Sequence, residues 1–93
     1  MISFLFAESV YLIPINGTID LGLPPFIERT LKEAKTKNAS AVVFDINTFG
    51  GRVDAATQIK DAILGADITT IAFINRRAIS AGALISLSCE KIY

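Results

Sequence analysis

Ala41-Val42-Val43-Phe44-Asp45-Ile46 is a nearly continuous apolar run with helical patterning on either side, which leaves the chain few folds to adopt. A short apolar run of this kind reads as a strand covered on both faces. Before it, Ile27, Leu31 and Ala34 recur at helical spacing, while Glu28, Arg29, Lys32, Glu33, Lys35 and Lys37 occupy the other face. Pro24 and Pro25 suit the first turn of that helix, and Asn38 suits its C-terminal cap. After the run, the spacing predicts a helix from Val53 to Leu64. Ala56, Ile59 and Ile63 form its buried stripe, and Gly65 stops it. Val10 to Ile15 and Ile68 to Ile74 read as two further strands, the first ending at the turn dipeptide Asn16-Gly17. Pro14 has no N–H to give to a ladder, so the first strand belongs at a sheet edge. A short helix of small residues is expected from Ile79 to Leu87, and Glu90-Lys91-Ile92-Tyr93 reads as a strand just beginning.

Strands and helices in alternation imply an α/β fold, a mostly parallel sheet joined by right-handed crossovers. Ligands of such sheets bind beyond the carboxyl ends of the strands. Composition adds a bound on size. The 93 residues are 52% hydrophobic, with a mean hydropathy of +0.51. That is rich for a chain able to hide so small a share of its surface. We therefore expect an incomplete domain, an oligomer, or a neighbour of a membrane.

Nine basic and nine acidic residues give zero net charge, and no basic stripe supports nucleic-acid binding. The single cysteine, Cys89, excludes an internal disulfide. The absence of histidine removes every Ser-His pair. No acidic cluster suggests a metal, and no cofactor is implied. Residues 1–9 admit two readings. Met1-Ile2-Ser3-Phe4-Leu5-Phe6-Ala7 is either the remnant of a signal or anchor segment, or an apolar lead-in to the first strand. It is too short to span a bilayer and lacks a basic start.

Two motifs follow the carboxyl ends of expected strands, so both fall on one rim. Ala78-Ile79-Ser80-Ala81-Gly82-Ala83 offers a hydroxyl at a helix start, with little side-chain bulk behind it. Gly50-Gly51 offers bare backbone N–H groups able to approach a developing oxyanion. Each has a plainer reading: Ser80 as an ordinary N-cap, and the glycines as a turn that needs them for shape. The glycines match neither a dinucleotide fingerprint nor a P-loop. Asp54 lies in the first turn of its helix, where the dipole favours a carboxylate. Asp45 interrupts its strand and is expected to point outward or to pair with a cation. Lys60 and Lys91 have no reason to be desolvated, as a lysine base must be. Cys89 reads as a small buried hydrophobe.

The blocks Val10-Tyr11-Leu12-Ile13-Pro14-Ile15-Asn16-Gly17, Ile46-Asn47-Thr48-Phe49-Gly50-Gly51-Arg52-Val53-Asp54-Ala55 and Arg77-Ala78-Ile79-Ser80-Ala81-Gly82-Ala83 resemble successive blocks of the NfeD family. These are membrane-bound serine proteases of the ClpP class, in the ClpP/crotonase fold. The resemblance covers residues 10–93 and implies the N-terminal part of a truncated ClpP-like protease domain. It implies a Ser-Lys dyad endopeptidase with Ser80 as nucleophile, and with Gly50 and Gly51 forming or flanking the oxyanion hole. The extended segment after them would hold substrate backbone, with Arg52 and Val53 as the substrate-binding residues. It further implies stomatin-like membrane proteins as substrates, homo-oligomers, and a membrane-associated protease domain on the extracytoplasmic side.

Two departures from the family accompany the likeness. No lysine here matches the family's catalytic lysine, so the isolated chain is expected to be inactive. Phe49 stands where the family usually has proline. Two other readings keep the fold: a non-catalytic assembly or partner-binding module, and a crotonase-like acyl-CoA enzyme.

Overall fold

In a computed structural model describing residues 9–93, the chain forms a four-stranded sheet with three helices. The expectations for the N-terminal segment fall, apart from Ser9, outside the described residues. The elements are β1 (Val10–Asn16), α1 (Leu23–Thr36), β2 (Ala41–Thr48), α2 (Val53–Leu64), β3 (Thr70–Ala78), α3 (Ala81–Ser88) and β4 (Lys91–Ile92). Spatial order equals chain order, β1-β2-β3-β4, and all three pairings are parallel. Pro14 sits on edge strand β1, where its missing N–H costs the ladder nothing from outside.

Sequential order with right-handed crossovers puts every helix on the same side of a sheet. Accordingly α1 packs on β1 and β2, α2 packs between α1 and α3, and α3 packs on β2 and β3. The expectation that β2 is covered on both faces is corrected by this layering. Val42, Phe44, Ile46 and Thr48 are buried beneath the helices, whereas Val43, Asp45 and Asn47 on the opposite face are half-buried. Leu12 and Phe73 flank that second face and stay exposed. Phe44 is the largest fully buried side chain and lies at the centre of the core with Ile13, Ile15, Ile27, Ile59 and Ile85. Burying a side chain of this size stabilises the fold by about 1.5–3 kcal/mol.

Helix boundaries follow local chemistry. Pro24 and Pro25 open α1, with Gly22 as N-cap held by the Asp20 carboxylate, which accepts the Gly22 N–H at 2.9 Å. Asn38 takes φ 56 just past α1, so it terminates the helix one residue beyond the cap, Lys37. The span of α2 is as expected. β3 is not: it begins two residues later than Ile68 and runs on to Ala78. The extension is an irregular one. Ile46 pairs with Ile74 but Thr48 with Ala78, and the extra residues on β3 are accommodated by Arg76 at φ 86. Such a bulge re-aims the strand end. Here it carries the chain from β3 toward Thr48, whose carbonyl accepts the Ile79 N–H at 3.1 Å.

Candidate active site

Ser80 takes the N-cap position of α3, but its conformation is not that of a cap. Its φ of 58 and ψ of −118 lie far from the extended region usual for N-caps, and its side chain makes no capping bond. The capping reading therefore fails. Gly82 N–H donates to Ile79 O at 3.0 Å, closing a turn in which Ser80 holds the first central place. These angles are those of a type II′ turn, a position dominated by glycine. Holding a serine there costs about 1–3 kcal/mol. The strained turn leaves the Ser80 side chain exposed on the rim.

Opposite it stands the β2–α2 turn. Gly50 has φ +116, and a Cβ added there would lie 2.9 Å from Ser80 Cβ and 3.3 Å from Ser80 Oγ. Two segments far apart in the chain thus meet at van der Waals distance, and only glycine fits between them. Gly51 is pinned on its other side. Ile19 N–H donates to Gly50 O at 3.0 Å and Arg52 N–H to Ile19 O at 2.9 Å, an isolated parallel bridge. A Cβ on Gly51 would fall 2.2 Å from Ile19 O.

The two glycine amides are not equivalent. Gly50 N–H donates to Thr48 Oγ1 at 2.9 Å in a buried setting. This narrows the expectation for the pair: Gly50 flanks the hollow, and its own donor is already committed. Backbone directions alternate along an extended segment. With Gly50 O and Arg52 N–H turned to Ile19, the N–H and C=O of Gly51 turn away from it. Among the described residues the Gly51 N–H has no hydrogen-bond partner, and neither has the Ala81 N–H at the first position of α3. Sequence reading overlooked Ala81 and Thr48. Thr48 follows Val42, Phe44 and Ile46 in strict alternation, and that period marks it as a buried hydroxyl.

Arg52 remains extended, with φ −72 and ψ 130, whereas Val53 already begins α2. The two residues expected to bind substrate therefore straddle the helix start, with Val53 at the helical position expected for it. Arg52 N–H is taken by Ile19 and Arg52 O accepts the Ala56 N–H, so the unpaired backbone belongs to Gly51. Val53 contributes an exposed side chain to the rim. The Arg52 guanidinium donates to Asp54 from Nε at 3.0 Å and Nη2 at 2.8 Å, and the Ala55 N–H also donates to Asp54. The hydrogen bond from Arg52 is the main reason the Asp54 carboxyl is held below its ordinary range. Both side chains are more than half exposed, so the pair orients the turn and adds little stability.

Phe49, in place of proline, projects into solvent with the Arg77 guanidinium 4.4 Å over its ring. This joins the β2–α2 turn to the bulged end of β3. Among the described residues Asp45 meets no cation, and its buried Oδ1 finds no partner. It lies half-buried on the face away from the helices. Lys60 reaches its neighbour Asp61 at 3.2 Å, and Lys91 is exposed. Burial pushes the Cys89 thiol up to about 11, as suits a packed hydrophobe. A groove of about 570 Å3 between α1 and α2, lined by Leu31, Gln58 and Ala62 among others, includes no residue of this rim. No helix among the described residues is long and apolar enough to cross a membrane.

Comparisons with known proteins agree with this fold. The N-terminal domain family of NfeD1b matches residues 9–93. Membrane protein NfeD1b of Bacillus subtilis (strain 168) is 41% identical over 86 residues, which is 92% of this chain and 20% of that protein. The 1510-N membrane protease specific for a stomatin homolog from Pyrococcus horikoshii superposes with a TM-score of 0.82 at 31% identity, covering 91% of this chain and 44% of that one. A lysine-to-alanine mutant of the 1510-N membrane-bound stomatin-specific protease, solved with a substrate peptide, gives 0.83 at 30% identity over 95% and 42%. ClpP1 from Listeria monocytogenes gives 0.79 at 26% identity over 85% and 46%. The chain thus spans less than half the length of these solved relatives and a fifth of the curated one. A match over residues 9–93, joined to a ClpP-like sheet carrying these two turns on one rim, makes this chain a member of the NfeD1b N-terminal domain family.

Proposed function

We propose that this chain is the serine-bearing part of a membrane-associated endopeptidase of the Ser-Lys dyad type. Residues 10–93 are read as belonging to the protease domain. The observation that carries the proposal is the pairing of a strained Ser80 with Gly50 at contact distance. Ser80 Oγ attacks the carbonyl carbon of a peptide bond, and its proton passes to a lysine outside these residues. The carbonyl oxygen, now negative, is received by the N–H groups of Gly51 and Ala81, with Gly50 flanking. The departing amine takes the proton, and water then releases the acyl group from Ser80. A donor of this kind is worth roughly 3–4 kcal/mol in the transition state.

Substrate backbone runs beside Gly51, whose N–H and C=O have no partner among the described residues, with the exposed Arg52 and Val53 side chains alongside. Hydrophobic segments of stomatin-like membrane proteins are the proposed substrates, by analogy with the relatives named for that specificity. We read the domain as extracytoplasmic and part of a homo-oligomer. A fluorophosphonate probe on the full-length protein tests the proposal: Ser80 is labelled, and Ser80→Ala abolishes labelling. Labelling that survives in the mutant removes Ser80 from the mechanism. No labelling of the unaltered protein favours the assembly-module reading.

A further inference from the structure

We propose that Thr48 is the positioning residue of the oxyanion turn: its hydroxyl consumes the Gly50 amide, and so leaves the Gly51 amide as the one presented toward Ser80. The proposal rests on the reading of Ser80 and Gly51 given above. Thr48 is the last residue of β2 and only 1% exposed, at the end of the covered apolar row Val42, Phe44, Ile46. A hydroxyl buried at the end of such a row is costly unless it is bonded. It has three backbone contacts, and its single proton has two acceptors in reach, Gly17 O and, more distantly at 3.3 Å, Gly50 O. The proton goes to Gly17 O, in the loop leaving β1, and a lone pair accepts the Gly50 N–H at 2.9 Å.

The rest of the residue reaches the other turn. Thr48 O accepts the Ile79 N–H at 3.1 Å, one residue before the serine. Its Cγ2 fills the space over Gly82, where an added Cβ would come within 2.4 Å. One side chain and its carbonyl therefore hold the β1 loop, the glycine turn and the serine turn in register. Valine would fill the same volume and continue the same apolar row. The hydroxyl is what valine lacks, and each of its bonds goes to the loops that build the hollow. Without it the Gly50 amide has no acceptor, and only the Ile19 N–H bond to Gly50 O, on the same peptide unit, is left to hold the Gly51 N–H in line.

Amide hydrogen exchange and fluorophosphonate labelling test this on separate grounds. In the unaltered protein the Gly50 amide exchanges at least tenfold more slowly than that of Gly51. Equal protection of the two overturns the proposal without any mutant. In Thr48→Val, the Gly50 protection is lost, and the Ser80 labelling rate of the full-length protein falls on the order of tenfold to a hundredfold. Thr48→Ser keeps the hydroxyl, giving up only the methyl over Gly82, and restores both readouts to within about threefold. A general packing role would be served by valine and injured by serine, the reverse order. Thr48→Val labelling at the unaltered rate overturns the proposal while leaving Ser80 in place. Absence of any Ser80-dependent labelling overturns the protease reading, and the exchange data still decide the role of Thr48.

Discussion

The two ends of the sheet are built to different standards. Five described residues have positive φ, and four of them (Gly17, Gly50, Arg76 and Ser80) lie beyond or at the carboxyl ends of the strands. At the amino end only Asn38 does, in an ordinary helix-terminating role, and Gly65 closes α2 at φ −85 with no strain. Left-handed backbone is costly for any residue with a Cβ, so a fold drifts away from it unless surrounding contacts hold it. At the carboxyl end those contacts are a short bridge to Ile19, a buried hydroxyl at Thr48, and a bulge in β3. The lesson is that the strain is localised where two turns must meet, and the opposite end, which only has to reverse the chain, carries almost none.

Substitutions at the glycines on the two ends should separate sharply. Gly51→Ala drives a Cβ into Ile19 backbone, which has no flexible end to yield. It is expected to cost about 3 kcal/mol or more, measured by urea denaturation. Gly50→Ala meets Ser80 Cβ and needs a φ forbidden to alanine. A loss of about 2 kcal/mol is expected, with labelling of Ser80 falling further than the loss of folded protein explains. Ser80→Gly runs the other way. It relieves the II′ strain and should stabilise the fold by about 1 kcal/mol while abolishing labelling. An unchanged or lower melting temperature would show that Ser80 is not strained.

At the quiet end, Gly65→Ala places its Cβ 3.3 Å from Asp61 O with φ already favourable. Stability should stay within about 0.5 kcal/mol. A cost as large as that of Gly50→Ala would erase the contrast between the ends. The smallest effect concerns pH. Asp54 has its folded pKa lowered, chiefly by the hydrogen bond from Arg52. Its contribution is therefore present above the ordinary carboxylate pKa and is lost as pH falls through the lowered folded value. Both partners are exposed, so the effect is slight. Asp54→Asn should flatten only that acid limb of a stability–pH profile.

Much of the scaffold could be read before any coordinates. Ile27, Leu31 and Ala34 named the buried stripe of α1, Ala56, Ile59 and Ile63 that of α2, and Pro14 put β1 at an edge. Each of these rests on local period or on a residue's own backbone chemistry, which neighbours far away in the chain do not alter. The run Asn75-Arg76-Arg77 hid the true end of β3, because nothing in its polarity reveals that a bulge carries the strand through it to pair Ala78 with Thr48. The apolar stretch of β2 misled it about cover, because Val43 and Asp45 look the same in sequence whether or not a second layer lies over them.

Sequence alone determined the alternation of elements, the parallel pairing of the strands and the rim on which Ser80 and the glycine pair must fall, since periodicity and crossover handedness are short-range properties. Tertiary structure decided which amide of the pair is spent and which is presented, and that Ser80 sits in a glycine-like turn instead of capping its helix. Those outcomes depend on contacts from Gly17, Ile19 and Thr48 with Gly50, Gly51 and Ile79. Such contacts exist only once the strands have been laid side by side.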